Sequence, residues 1–404
     1  MYLYKAGVVG AGAMGAEITQ VISYAGLPVV LKDVNDALVQ KGLQRARQIY
    51  ERRVQKGKMA PEEMDSKMAL IQGATDYGPF GDVDIVVEAV VENIDVKKKD
   101  FAELDKTCSP TAIFASNTSA LSISELGAAT KRPEKVIGLH FFYPAAVMKL
   151  VEVIPGLDTS EETVTDTISF AETLRKLPVR VNECAGFLVN RLLMPYLNEA
   201  AYCLQEKSAT AREIDQAVVA FGFPMGPFTL VDTIGLDVCR SVVQILLESY
   251  GSRMTPAPIW DNLYKEGRYG IKAGKGFYTY GNPEEGEEAT LQKLVKAFPT
   301  PSKKAPFSVE RLLLPMINEA VLCLQEQVSQ AADIDLALLA GIGFPQEKEG
   351  LLYYADKVGL DQVLAGLEQH QAIYGERFWP APLLRRSVKA GHLGAKTKRG
   401  FFTY

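Results

Sequence analysis

The stretch "LHFFYPAAVMKLVEV" (139–153) holds His140, the first of three histidines in 404 residues, and Glu152 twelve positions later. An imidazole titrates near neutral pH, so it can take a proton and return it. A carboxylate bonded to its far nitrogen fixes one tautomer and stabilises the imidazolium. A carboxylate inside an otherwise apolar strand needs such a hydrogen-bonded or charged partner. General acid–base work is therefore open to this pair. The alternatives are a histidine satisfied in a core beside two phenylalanines and a glutamate paired with a structural lysine.

A second constellation lies at the start of the chain. "GAGAMG" places Gly10, Gly12 and Gly15 in the G-x-G-x-x-G spacing. An apolar strand precedes it, a helix over about 13–24 follows, and Asp33 ends the next strand. Gly10 permits the tight turn, Gly12 lets a pyrophosphate approach the backbone, and Gly15 lets helix and strand pack closely. Free N–H groups and the helix dipole favour the phosphates at the helix N-terminus. Asp33 can accept from both ribose hydroxyls and would repel a 2′-phosphate, which selects NAD over NADP.

These residues need a scaffold, and the pattern supplies one. "LYKAGVVG", "LPVVLKD", "DVDIVVEAVVE", "TAIFASN", "KVIGLHFF", "KLVEVIP" and "PVRVNE" read as strands, with helices between the earlier ones. That alternation predicts a mostly parallel, helix-covered sheet ending near Glu183. A long polar helix after the second strand carries an apolar stripe of Leu38, Val39, Leu43, Ala46, Ile49, Tyr50 and Val54.

From Cys184 the chain turns helical and repeats itself. "NRLLMPYLNEAAYCLQE" (190–206) matches "ERLLLPMINEAVLCLQE" (310–326). "EIDQAVVAFGFP" (213–224) matches "DIDLALLAGIGFP" (333–345), and "IKAGKGFYTY" (271–280) matches "AKTKRGFFTY" (395–404). One all-helical unit therefore occurs twice. Acidic "GNPEEGEEAT" and proline-rich "FPTPSKKAP" read as a linker around a short helix. The expected organisation is an α/β Rossmann-type dinucleotide-binding domain at 1–183, a helical domain at 184–282, a linker at 283–299 and a second, degenerate copy at 300–404.

The length calls for two or three domains. A net charge of −5 argues against nucleic acid as the main partner. The cysteines Cys108, Cys184, Cys203, Cys239 and Cys323 are scattered without CxxC spacing, as free thiols in a reducing compartment would be. No run approaches the length of a membrane span, and the N-terminus lacks the basic region of a signal peptide. A cytoplasmic protein is expected.

"ASNTSALSI", "GLHFFYPAAVMKLVEVI", "GFLVNRLLMPYLNEA" and "FGFPMGPFTLVDTIGLD" follow one another in this order. Together they resemble the L-3-hydroxyacyl-CoA dehydrogenase family of fatty acid β-oxidation, over residues 1–280 and more weakly through the repeat. The resemblance implies NAD-dependent oxidation of L-3-hydroxyacyl-CoA to 3-oxoacyl-CoA, with no metal. It places the general base at His140 and its carboxylate partner at Glu152. It places the substrate-oxygen contact at Ser119 and a substrate-orienting amide at Asn190. Glu92, Lys97 and Asn117 fall on cofactor-contacting positions. Both Ser119 and Asn190 can donate to an oxygen on which charge builds up. By themselves, Ser119 could equally cap the helix of "SISELGAA" and Asn190 could be a structural helix amide.

The duplicated helical unit is similar to the dehydrogenase portion of multifunctional β-oxidation enzymes. Nothing precedes the first strand, so the hydratase of those enzymes is expected to be absent. Single-unit relatives dimerise through their helical domains, which makes residues 300–404 a covalently attached pseudo-partner; the chain is then a monomer, with a homodimer as the alternative. A thiolase partner is not established by these motifs. Basic residues of the long polar helix, Lys41, Arg45, Arg47, Arg52, Arg53, Lys56 and Lys58, are open to the 3′-phosphate of CoA or to solvent.

The chain departs from the family pattern at Tyr143, where Asn is usual, and at "ECAGF", where Pro usually precedes "GF". In the second copy Glu310 stands at the position of Asn190 and "GFPQEKEG" replaces "GFPMGPFT", so that copy is expected to be non-catalytic. Two other functions fit the same motifs: a dehydrogenase of a free hydroxy acid of the L-gulonate type, and a non-catalytic NAD-binding scaffold. Loss of turnover on replacing His140 separates an enzyme from a scaffold.

Overall fold

The computed structural model describes residues 3–281, 287–300 and 306–404. The chain divides into two compact units, Met1–Phe187 and Leu188–Tyr404. Among the strands of the first unit with both faces covered are β1 (Ala6–Val9), β2 (Val29–Lys32), β4 (Ile85–Glu88), β5 (Ile113–Ser116) and β6 (Val136–Phe141). They carry near-continuous apolar sequence because neither face meets water. The sheet is completed by β3 (Ile71–Ala74), β7 (Leu150–Pro155) and β8 (Leu177–Arg180). Its order is β3-β2-β1-β4-β5-β6-β7-β8. All neighbours are parallel except β6 and β7, which are antiparallel and set His140 opposite Glu152.

The strand β3 is absent from the sequence reading. It is an edge strand, half or fully exposed along "IQGA", so neither alternation nor an apolar run marks it. The helices of this unit are α1 (Ala13–Tyr24), α2 (Asp36–Gln55), α3 (Pro61–Met68), α4 (Ile94–Thr107), α5 (Ile123–Gly127) and α6 (Glu161–Thr173), of which α3 packs on α1 and α2. From the expected stripe on α2, Val39, Ala46 and Tyr50 are buried, with Gly42 beside them, while Leu38 faces out.

The second unit is built from two sets of matching helices. The first is α7 (Val189–Gln205), α8 (Ala211–Phe221), α9 (Pro227–Ile234), α10 (Leu236–Tyr250) and α11 (Ile259–Lys265). After α12 (Glu287–Lys296) the same order returns as α13 (Val309–Gln325), α14 (Ala331–Gly341), α15 (Leu351–Val358), α16 (Leu360–Tyr374) and α17 (Pro382–Lys389). The helix expected between the linker segments is α12; the linker residues 282–286 and 301–305 lie outside the described residues. Each copy closes its C-terminal turn on a buried aspartate. Asp232 accepts the N–H groups of Phe277 and Tyr278, and Asp356 those of Phe401 and Phe402.

The copies share one unit because α7 packs on α13, and the polar contacts between them are reciprocal. Arg191 Nε donates to Glu319 at 2.8 Å, and the matching Arg311 Nε donates to Glu199 at 2.7 Å. Arg191 also meets Glu326, and Arg311 meets Glu206, each at 2.7 Å. Residue i of one copy meets residue j of the other and the converse, as in an isologous dimer interface.

Candidate functional site

The glycine turn has the shape its spacing requires. Gly10 sits at φ +101°, and a Cβ there would lie 2.6 Å from the Ala89 carbonyl oxygen. A Cβ on Gly15 would lie 1.7 Å from the Gly10 carbonyl oxygen, so helix and turn approach as only glycine permits. Gly12, by contrast, faces open space, with nothing within 4 Å of a Cβ. It is the N-cap of α1, whose first turn holds no acidic residue and no capping side chain. The Asp33 carboxylate reaches the turn and accepts the Ala11 N–H at 2.7 Å. An open, uncapped helix N-terminus with a carboxylate beside it fits the pyrophosphate and ribose of a dinucleotide.

The sheet brings Ser119, His140 and Glu152 together near the ends of β5, β6 and β7. His140 Nδ1 and Glu152 Oε2 are 2.6 Å apart, and both side chains are almost wholly buried. Ser119 Oγ lies 3.1 Å from His140 Nε2. The rings of Phe142 and Phe187 stand with centroids 4.6 and 5.8 Å from the imidazole and wall it in apolar surface. Glu152 is therefore a direct partner of this histidine. Ser119 is not the cap of α5: Ser122 occupies that place, accepting the Glu125 N–H.

The remaining expected residues divide. Asn117, next after β5, accepts the Phe141 N–H at 2.8 Å and so ties its loop to the strand bearing His140. Glu92 accepts the Ser119 N–H at 3.0 Å. The Lys97 side chain is 1% exposed, 2.7 Å from Glu88 and 3.3 Å from Glu92. Asn190 lies half-buried in the first turn of α7, in the second unit, and Glu310 takes the same place in α13. Tyr143 is 67% exposed in the loop after β6. On α2, Arg53 donates to the Tyr24 hydroxyl, Arg47 faces Asp65 and Arg52 returns to the Gln48 carbonyl; these three have partners within the protein.

Three groups near the site were not read from the sequence. Glu88, buried at the end of β4, accepts from Lys97, Ser116 and the Val90 N–H. Burial pushes its pKa up, against the pull of Lys97. A signal was present, because an acid ends "DIVVE" much as Asp33 follows β2, two strands away across β1. Glu183 holds Ser122 and Ser124, at the start of α5, through its carboxylate. Lys176, also buried, donates to the carbonyls of Ala145 at 2.5 Å and Met148 at 2.9 Å, pinning the loop that joins β6 to β7.

Fold and site together define a dinucleotide-binding α/β domain, with a glycine turn at one strand end and a buried histidine–carboxylate pair farther along the same sheet. The chain belongs to the 3-hydroxyacyl-CoA dehydrogenase family. Residues 5–184 match that family's NAD binding domain, and residues 186–280 and 307–404 match its C-terminal domain. A fatty acid oxidation complex subunit alpha from Shewanella amazonensis is 41% identical over 392 residues, which cover 96% of this chain and 55% of the relative. The chain thus spans about half the length of that relative. Among solved structures, 3-hydroxybutyryl-CoA dehydrogenase from Escherichia coli K12 has a TM-score of 0.88 at 29% identity, covering 97% of this chain and 100% of that one. (S)-3-hydroxybutyryl-CoA dehydrogenase PaaH1 from Ralstonia eutropha has a TM-score of 0.68 at 38% identity, covering 70% of this chain and all of its own. Among the described residues no helix is long and apolar enough to cross a membrane.

Proposed function

We propose that the chain oxidises L-3-hydroxyacyl-CoA to 3-oxoacyl-CoA with NAD, His140 acting as general base. The observation that carries this reading is the buried line Glu152–His140–Ser119, with contacts of 2.6 and 3.1 Å. Glu152 accepts the proton on Nδ1, which leaves the Nε2 lone pair free to take the hydroxyl proton of the substrate. Bound NAD supplies the acceptor for the hydride that leaves the same carbinol carbon. Ser119 then donates to the substrate oxygen, and the Glu152 carboxylate balances the imidazolium. Gly10, Gly12, Gly15 and Asp33 hold the dinucleotide, with Glu92, Lys97 and Asn117 shaping its nicotinamide end. The family resemblance assigns Asn190 the role of a substrate-orienting amide. The similarity to two 3-hydroxybutyryl-CoA dehydrogenases supports an acyl-CoA over a free acid.

The test is NADH formation from NAD with L-3-hydroxybutyryl-CoA, a longer acyl homologue, the D enantiomer and free 3-hydroxybutyrate. Turnover of the L thioesters alone is expected. Turnover of the free acid in preference to the thioesters would overturn the acyl-CoA assignment. The second helical copy, in this reading, serves as an internal partner, so light scattering should give the mass of one chain.

A further inference from the structure

The mechanism above gives no part to Glu88, the buried partner of Lys97. Glu88 and Lys97 are 0% and 1% exposed and 2.7 Å apart. Such a pair gains little stability over two well-packed apolar side chains, because desolvation consumes most of the attraction. Its geometry, however, leads directly to the site. Glu88 joins three elements: its own strand β4, the last residue of β5 through Ser116 Oγ at 2.6 Å, and the first turn of α4 through Lys97. One oxygen takes both Lys97 and the Val90 N–H, and the other takes Ser116.

From Lys97 the line continues outward. The ammonium lies 3.3 Å from Glu92 Oε2, while Glu92 Oε1 accepts the Ser119 N–H at 3.0 Å and the Thr118 hydroxyl. Thr118 Oγ accepts the N–H groups of Ala120 and Leu121 in turn. Glu92 is 45% exposed, so it needs an anchor beneath it to keep one rotamer. Lys97 provides that anchor from inside the protein and leaves the other oxygen for the loop. The last link is Ser119 Oγ to His140 Nε2 at 3.1 Å.

We propose that Glu88 is a positioning residue, which through Lys97 and Glu92 sets the Ser119 loop against the reacting nitrogen of His140. This rests on the dehydrogenase reading above. In Glu88→Gln the amide keeps the size and an acceptor, but the charge that orients Lys97 is gone. Ser119 then loses its fixed distance to Nε2, and small misplacements of this kind are costly in rate.

The test is a double-mutant cycle with Glu88→Gln and Ser119→Ala, read as kcat, KM and the NAD dissociation constant. Alone, Glu88→Gln should lower kcat by about tenfold with KM changed less than about twofold. In the Ser119→Ala background the same change should cost less than about twofold, because the group it positions is already absent. Equal costs in both backgrounds would overturn the proposal and leave Glu88 a structural residue. Should Glu88→Gln fail to fold, Lys97→Gln runs through the same cycle with the same two outcomes. An independent readout needs no turnover. With three histidines in the chain, ¹⁵N-histidine spectra resolve His140; its Nε2 signal should move in Glu88→Gln, and an unmoved signal counts against the inference. A wild-type chain without dehydrogenase activity but with a moved signal would refute the functional reading and keep the positioning.

Discussion

Replacing Glu152 by Gln removes one charge and almost no volume from a site that is closed to water. The bond it disturbs is 2.6 Å long and joins two nearly fully buried groups. A hydrogen bond to a charged partner contributes about 1.5–3 kcal/mol, which is roughly 10- to 150-fold in rate if it strengthens as the imidazolium forms. A second effect adds to this. The amide can turn its NH2 toward Nδ1, and the proton then moves to Nε2, where it blocks the base; a wrongly held tautomer can cost up to ~10⁴-fold. The expected fall in kcat is therefore about 10²-fold or more. The dinucleotide site at Gly10–Gly15 and Asp33 uses none of these atoms, so the NAD dissociation constant should change less than about twofold. Single-turnover NADH formation with L-3-hydroxybutyryl-CoA, beside an NAD fluorescence titration, measures both. A kcat within threefold of wild type would show that the carboxylate does not support the imidazole during proton transfer.

Other perturbations have equally definite outcomes. Gly15→Ala puts a methyl 1.7 Å from the Gly10 carbonyl oxygen; overpacking of this kind costs about 1–3 kcal/mol, and both the melting temperature and NAD affinity should fall. Arg311→Met strands Glu199, which is 1% exposed; broken buried pairs cost ~3–5 kcal/mol, and the low end is expected because Arg377 still meets Glu199 at 2.7 Å. Denaturant melts of the second unit's helices read this loss. Burial pushes Lys176 down to about 8 from its ordinary 10.5, so the unfolded chain holds that proton more tightly than the folded one. Between about pH 8 and 10.5 the wild type should gain stability with rising pH relative to Lys176→Met, and parallel melting curves across that window would refute the assignment.

The parts of the fold that were legible in the sequence are those where backbone geometry restricts the residue type. Gly10 and Gly15 each have a carbonyl oxygen where a side chain would go, so the spacing carries the turn. The buried strands carry it too, because a sheet covered on both faces admits little polar sequence. The edge strand Ile71–Ala74 has no such restriction and left no pattern. The pairing of His140 with Glu152 was open in the residues alone; it follows from the antiparallel register of β6 and β7, which the intervening loop conceals. Arg191, Glu199, Arg311 and Glu319 were visible in the repeated motif, yet their crosswise pairing needs the helices face to face. Glu88 ends an apolar strand and reads as part of it, although an acid also stands one residue past β2, at Asp33.

The central claim is that His140 moves the substrate proton. The direct measurement is single-turnover NADH formation by His140→Ala, with NAD binding followed in the same preparation. General-base catalysis contributes about 10²–10⁴-fold, so NADH formation should fall within that range while NAD binds as in the wild type. A variant that binds NAD and turns over L-3-hydroxybutyryl-CoA within threefold of the wild-type rate would contradict the account.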